Sequence, residues 1–286
     1  MEVLEHNQLI LQAQDLEPLP ATATRLAKLV ADPDAEMKEI VETISLDQAL
    51  TVKVLRVANS AASGAASEIS TVDRAVIRLG TGAVLSMAVA AGVRTRMLGA
   101  IEAYDLEEGR LWEHSVAAAL AAESMIGLPE HSVPPETFTA ALLHDVGKLV
   151  LGRFLDEEIQ EFLRRARLEG GRSESDAEDE VLSVNHAELG GLIAQHWKLP
   201  RSICLGIQYH HDPENCGDEE GLAHVPWIVH LANITAKKLG KGSDDVLPED
   251  SDFEAPCEAL GLTEAKLEKL FVRTERRLEE IGERFN

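Results

Sequence analysis

The sequence predicts an all-α protein, and three observations carry that prediction. Hydrophobic residues make up 45% of the 286 and aromatics only 4%. Much of the apolar share is alanine, which packs helices closely and gives a sheet little to bury. Apolar residues recur at helical spacing through most of the chain, and no segment shows the alternation of a half-buried strand. The length is ample for a sizeable core.

The helices are read in order. Leu19 to Val30 is entered through Pro18 and Pro20, with Leu26, Leu29 and Val30 on one face. After the turn Asp32-Pro33-Asp34 come Met37 to Ile44 and Asp47 to Ala58. Ser60 to Ser70 is small and polar, hence a loop. Thr71 to Leu79 and Ala83 to Met97 are helices broken at Gly80. Tyr104 to Arg110 is charged and opens a second block, with helices at Leu111 to Ile126, Pro135 to Phe154, Asp156 to Glu169, Asn185 to Trp197, Pro200 to His211 and Pro226 to Leu239. Gly240 to Pro256 reads as a linker. Leu262 to Phe285 reads as a charged amphipathic helix, and its narrow stripe (Leu267, Leu270, Phe271, Leu278, Ile281) favours docking on its own chain over a partner. Arg56 to Ser60 is polar within an apolar helix; a helix C-cap at Asn59 and Ser60 is preferred to a partner-binding role.

Charge and cysteine narrow the function. Lys plus Arg is 27 against 50 Asp plus Glu, a net charge of −23. Such a chain repels phosphate backbones, and no basic patch offsets this in the sequence. Neither a nucleic acid nor a membrane is therefore expected as a partner. A solvated acidic surface is the preferred reading over a basic protein partner. Cys204, Cys216 and Cys257 have no CxxC spacing, which argues against a disulfide framework or a thiolate zinc site. Glu2 and Glu5 occupy the N-terminus in place of a secretory pattern, and Ala83 to Val93 is too short to span a bilayer. A cytoplasmic location is expected.

The chemistry lies in the histidines. In Leu142-Leu143-His144-Asp145-Val146-Gly147-Lys148, the residues Phe138, Ala141, Leu142 and Asp145 share one helical face, so the His-Asp pair continues a buried face. A buried carboxylate beside an imidazole is costly unless paired or metal-bound. His114 precedes the apolar run Val116 to Ala122. His186 shares a face with Leu189, Ile193 and Trp197, behind Asn185 as N-cap and Glu188 as capping-box partner. The positive end of that helix favours neutral imidazole, the ligand form. His210 and His211 close a helix with Ile203 and Ile207 inward, and Asn233 sits in mid-helix among Val229, Ile234 and Ala236. Each alone reads more simply as a satisfied core residue. Five helices each sending an imidazole, carboxylate or amide inward point instead to a divalent transition metal. His6, His131, His196 and His224 read as bystanders; His230, one turn before Asn233, is either a support to the site or ordinary packing.

These motifs resemble the HD superfamily of metal-dependent phosphohydrolases, and within it the HDOD (HD-related output domain) group of bacterial signalling proteins. The N-terminal half carries Leu19-Pro20, Asp47-Gln48-Ala49-Leu50-Thr51, Leu55-Arg56-Val57-Ala58-Asn59-Ser60 and Ala75-Val76-Ile77-Arg78-Leu79-Gly80. The C-terminal half carries Leu142 to Leu151, His186-Ala-Glu-Leu-Gly-Gly, Trp197-Lys-Leu-Pro200 and His210-His211-Asp-Pro213. The resemblance implies a helical bundle (1–98) packed on an HD-like core (99–242), followed by an acidic linker and amphipathic helix (243–286). It implies a stand-alone regulatory output module with a signalling partner and a partly retained site for one or two ions, Fe or Mn before Zn.

By similarity to the active HD enzymes, His114, His144 and Asp145 form one metal site, with Asn233 where a carboxylate is expected. Asp145, His186, His210 and His211 form the second, Asp145 bridging. Lys148 matches a phosphate-contacting lysine, with a plain helix-surface lysine the equal alternative. Asp145 and Lys148 are then the catalytic candidates of the alternative reading, a phosphohydrolase or phosphodiesterase acting on a nucleotide or phosphoester. The Gly-Tyr-Pro signature expected after the paired histidines is replaced by Asp212-Pro213-Glu214-Asn215-Cys216-Gly217, which argues against cyclic-dinucleotide hydrolysis.

Overall fold

A computed structural model describes residues 2–60, 68–155, 157–170, 173–217, 221–242 and 248–285. Among these every regular element is helical. The N-terminal part comprises α1 (Glu2–Asp15), α2 (Ala21–Ala31), α3 (Met37–Ser45), α4 (Gln48–Ala58), α5 (Val72–Leu79) and α6 (Thr81–Met97). The remainder comprises α7 (Arg110–Ser124), α8 (Thr137–Leu143), α9 (Lys148–Phe154), α10 (Glu157–Gly170), α11 (Glu174–Leu182), α12 (His186–His196), α13 (Arg201–Gln208), α14 (His224–Ala236), α15 (Glu254–Leu260) and α16 (Glu264–Phe285). One hydrophobic core runs from Leu9 to Leu270. Helix α6 packs on α8, α1 packs on α12, and α7 lies against α8, α14 and α16.

Local chemistry sets most boundaries. Asp47 caps α4 by accepting from the Leu50 amide. Gly80, at φ +84°, sits between α5 and α6, where the chain turns by 102°. Asn59 caps α4; its amide donates to the Leu55 and Ile69 carbonyls and its Oδ1 accepts from the Ile69 amide. It thereby ties the two sides of the predicted loop, whose residues 61–67 lie outside the described set. No single described helix is long and apolar enough to cross a membrane; the bent pair α5–α6 passes on length and composition together, while Val84, Leu85, Val89 and Val93 are buried in the core.

Several expectations are corrected. Helices α1 and α11 were not predicted. The segment 135–154 is two helices, because the hydrogen bonds between them tighten to i+3: Val146 donates to Leu143, Lys148 to Asp145 and Leu149 to Val146. Its four-residue facial spacing carried little information: residues 139–148 are buried all round, and Phe138 is only half-buried. Tyr104 is buried, ending a short 3₁₀ turn from Glu102, rather than lying in a charged surface stretch. Helix α13 ends at Gln208, so His210 and His211 lie beyond it. The described parts of the predicted linker are largely helical: Lys237–Lys241 is a π-turn, Asp250–Phe253 a 3₁₀ turn, and Pro256 is buried in α15, while 243–247 lie outside the described residues.

The final helix docks on its own chain. Leu270 and Thr274 of α16 are buried, and Leu278 packs against Ala117, Ala118 and Ala236. Arg273 donates to the Ser124 and Ile126 carbonyls, both at 3.1 Å, satisfying acceptors at the C-terminal end of α7. Arg277 pairs with Glu123.

The turn between α8 and α9 presses against the start of α12. A Cβ on Gly147 would lie 2.0 Å from the His186 carbonyl oxygen, and one on Gly190 would meet Ile207 at 2.7 Å. Gly147→Ala is expected to cost about 3 kcal/mol, because backbone rather than a flexible side chain blocks the methyl. Urea unfolding checks this.

Candidate metal centre

The tightened turn, the start of α12, the residues after α13 and the middle of α7 meet around Asp145. Its Oδ1 lies 3.2 Å from His186 Nε2, 3.5 Å from His144 Nε2 and 3.9 Å from His210 Nε2, and its Oδ2 lies 3.5 Å from His114 Nε2. His211 adds its Nε2 at 3.0 Å from that of His186. All of these side chains except His211, which is half-buried, are at most 2% exposed.

The hydrogen bonds fix which nitrogen carries each proton. His114 Nδ1 lies 2.7 Å from the Lys241 carbonyl, His144 Nδ1 2.7 Å from that of Ala141, and His210 Nδ1 2.7 Å from that of Ile207. A carbonyl only accepts, so each Nδ1 is the donor and each neutral ring turns a bare Nε2 inward. Two such lone pairs, on His114 and His144, face each other at 3.1 Å. His210 Nε2 and Asn233 Oδ1 are buried with no hydrogen-bond partner among the described residues. Converging lone pairs and orphaned acceptors are what a cation satisfies and what a core without one cannot sustain cheaply. The donor set therefore fits a metal ion, in two adjacent groups: His114, His144 and Asp145, and His186, His210 and His211.

Burial is the main force on the rings. It lowers His114 to about 3 and holds His144, His210 and His211 below the usual imidazole range, which keeps them in the neutral ligand form. His186 is the exception. Burial opposes its charge, but Glu178 and Asp145 outweigh this and raise it to about 9. That ring sits where two carboxylates call for positive charge, which a metal ion also supplies.

Three contributors escaped the sequence reading. Glu178 Oε2 accepts from both the His186 amide (2.6 Å) and its Nδ1 (2.7 Å), and the Tyr104 hydroxyl donates to Glu178 Oε1 at 2.5 Å. A carboxylate on the far nitrogen of a ligating histidine orients it and raises its basicity. Glu174, one turn earlier on α11, accepts from Lys148 Nζ at 2.7 Å. Both glutamates and Leu182 are buried on one stripe of α11, a spacing visible in the sequence but hidden inside a run of acidic residues. Glu178→Gln is expected to weaken metal binding by about 10–100-fold and Tyr104→Phe by less; titration of the apo protein with Mn²⁺ or Zn²⁺ measures both.

Lys148 is not a surface lysine. It is 1% exposed, with Nζ 3.0 Å from Asp145 Oδ2 as well as bonded to Glu174. Burial opposes its charge, but the two carboxylates hold it above the usual lysine range. Asn233 is buried on α14. His230, one turn before it, donates through Nδ1 to the His210 carbonyl at 2.7 Å, so it supports the segment carrying the paired histidines. The Asn185 cap forms, its Oδ1 accepting from the Glu188 amide.

An all-helical chain with a buried His-Asp centre of this build is of the HD type. The family model for the HDOD domain matches residues 16–213, and the chain belongs to that family. A solved HDOD domain protein of unknown function from Geobacter sulfurreducens is 25% identical, with 96% of each chain covered and a TM-score of 0.72. A candidate phosphohydrolase from Shewanella amazonensis SB2B is 26% identical, with 94% of this chain and 98% of that one covered and a TM-score of 0.63. An uncharacterized protein of Treponema pallidum (strain Nichols) is 25% identical over 230 residues, 79% of this chain; the match spans 43% of that protein's length.

Proposed function

We propose that the protein is a regulatory output module whose HD centre holds a divalent transition metal as a structural or sensory element, without strong catalysis. The observation that carries this is the balance of buried charge. Asp145, Glu174 and Glu178 are buried with Lys148 as the buried ammonium among them. Without an ion, His186, raised to about 9, offsets part of this; once it gives up that proton to serve as a ligand, the remainder is two negative charges, the charge of one divalent ion. Imidazole with carboxylate donors suits Fe, Mn or Zn. His114, His144, Asp145, His186, His210 and His211 would hold the ion, and Asn233 would offer a neutral oxygen where a carboxylate would bind more tightly.

A bound divalent ion supplies Lewis acidity. The chain's own groups do little to exploit it on a substrate. Lys148 is committed to two carboxylates, so a phosphoryl group would compete with both for its ammonium. Helix α11 contributes the glutamates that hold Lys148 and His186, and the buried ligands leave His211 as the most accessible member. A phosphoester reaching Asp145 would have to displace that packing. A signalling protein is the partner this reading implies.

The second reading, a metal-dependent phosphohydrolase, is favoured by the presence of two ligand groups, with Asp145 of the first within 4 Å of His186 and His210 of the second, which suits two ions. The test is a screen of phosphomonoesters, nucleotides and cyclic dinucleotides with added Mn²⁺ or Fe²⁺. The module reading predicts metal-dependent thermal stabilisation with no turnover above that of Asp145→Asn. Multiple turnovers abolished by Asp145→Asn would overturn it in favour of the enzyme.

A further inference from the structure

A groove of about 490 Å³ lies where the N-terminal bundle meets the end of α12, lined by Pro18, Ala21, Thr24, Arg25, Lys28, His196, Trp197 and Lys198. It falls within the size range of small-molecule sites. Its charge is anomalous. The chain carries 50 acidic and 27 basic residues, yet every Asp, Glu, Lys or Arg lining the groove is basic. Arg25 and Lys28 are one turn apart on α2, and both are exposed, as is Lys198. None of the three makes an ion pair among the described residues. Glu17, the nearest acidic side chain in sequence to the groove's proline, is drawn off by Arg96 at 3.0 Å.

The walls are built rather than incidental. Trp197 is buried and its indole donates to the Leu16 carbonyl at 3.3 Å, fastening α12 to the segment before α2. Arg96 stacks over the same indole. Lys198, the third cation of the lining, is held at φ +58°, a conformation unfavourable for a non-glycine residue. Pro18, Ala21 and the buried Trp197 are the apolar members of the lining. Cationic and apolar groups in one lining suit a small organic anion carrying phosphate.

We propose that this groove binds a nucleotide-like ligand, its phosphates on Arg25, Lys28 and Lys198 and its apolar moiety against Pro18, Ala21 and Trp197. The site stands apart from the metal centre: α12 begins at the ligand residue His186 and ends at His196, about 15 Å further along at 1.5 Å per residue. The inference does not depend on the metal reading.

The test is calorimetric titration of the full chain with ATP, tripolyphosphate and adenosine, up to about 1 mM, a weak-affinity ceiling. ATP is expected to bind, more tightly than tripolyphosphate or adenosine. Arg25→Glu and Lys28→Glu, both at exposed positions, are expected to weaken it at least tenfold, and Asp145→Asn to leave it unchanged. No binding of ATP, or binding indifferent to the charge reversals, overturns the proposal. Binding lost in Asp145→Asn but kept in the reversals assigns the ligand to the metal centre and overturns it equally. Tripolyphosphate binding as tightly as ATP overturns the apolar half.

Discussion

Asp145→Asn is expected to lose its metal while keeping its fold. Among the described residues the Asp145 carboxylate is the one carboxylate within 4 Å of the Nε2 atoms of His114, His144, His186 and His210. Affinity should fall at least about a hundredfold, the upper end for disturbing even an outer ligand. The metal-free protein should not suffer, because the substitution removes one of the buried negative charges that Lys148 only partly offsets. At a metal concentration a hundred times the wild-type Kd, the stabilisation of about 2.7 kcal/mol should shrink to about 0.4 kcal/mol. Thermal or urea unfolding with and without metal measures both halves. A variant that still gains the full increment places the ion elsewhere.

Lys148→Met should be the most destabilising single change at the centre. It strips the ammonium from Asp145 and Glu174, at 3.0 and 2.7 Å, and leaves both carboxylates buried. Removing one partner of a buried pair costs about 3–5 kcal/mol. The sign of its pH dependence is diagnostic. In the wild type, burial opposes ionisation of Glu174 and Asp145, but Lys148 beside the first and His144 and Lys148 beside the second hold both below the usual carboxylate range. Their contribution is present above the unfolded pKa near 4 and is lost as pH falls through the folded values. Without the lysine, burial instead favours protonation, so the deficit of Lys148→Met should narrow as pH falls toward 5. The double variant Lys148→Met/Glu174→Gln should recover about half the loss. A deficit independent of pH and of Glu174 would make Lys148 mere packing.

The helical class and the ring of ligands were legible in the sequence because a histidine or aspartate on an otherwise apolar face stands out. His114, His144, Asp145, His186, His210 and His211 were found this way, and the structure brings their polar atoms together. The supports were not legible. Glu174 and Glu178 lie in a stretch dense with acidic residues that reads as solvated surface, and Tyr104 sits in a charged segment. The break after Leu143 carries no proline, and the close approach beside it, Gly147 against the His186 carbonyl, joins residues 39 positions apart. The groove's cations likewise lie on distant stretches, Arg25 and Lys28 on one and Lys198 on another, so no basic patch shows along the chain.

Metal content tests the central claim most directly. Protein purified without chelator or a nickel column, then assayed by plasma mass spectrometry, should carry about one equivalent of Fe, Mn or Zn, and chelation should lower its melting temperature. Less than about a tenth of an equivalent, with a melting temperature indifferent to added Mn²⁺, Fe²⁺ or Zn²⁺, would mean that the inward-facing imidazoles form a hydrogen-bonded core with no ion.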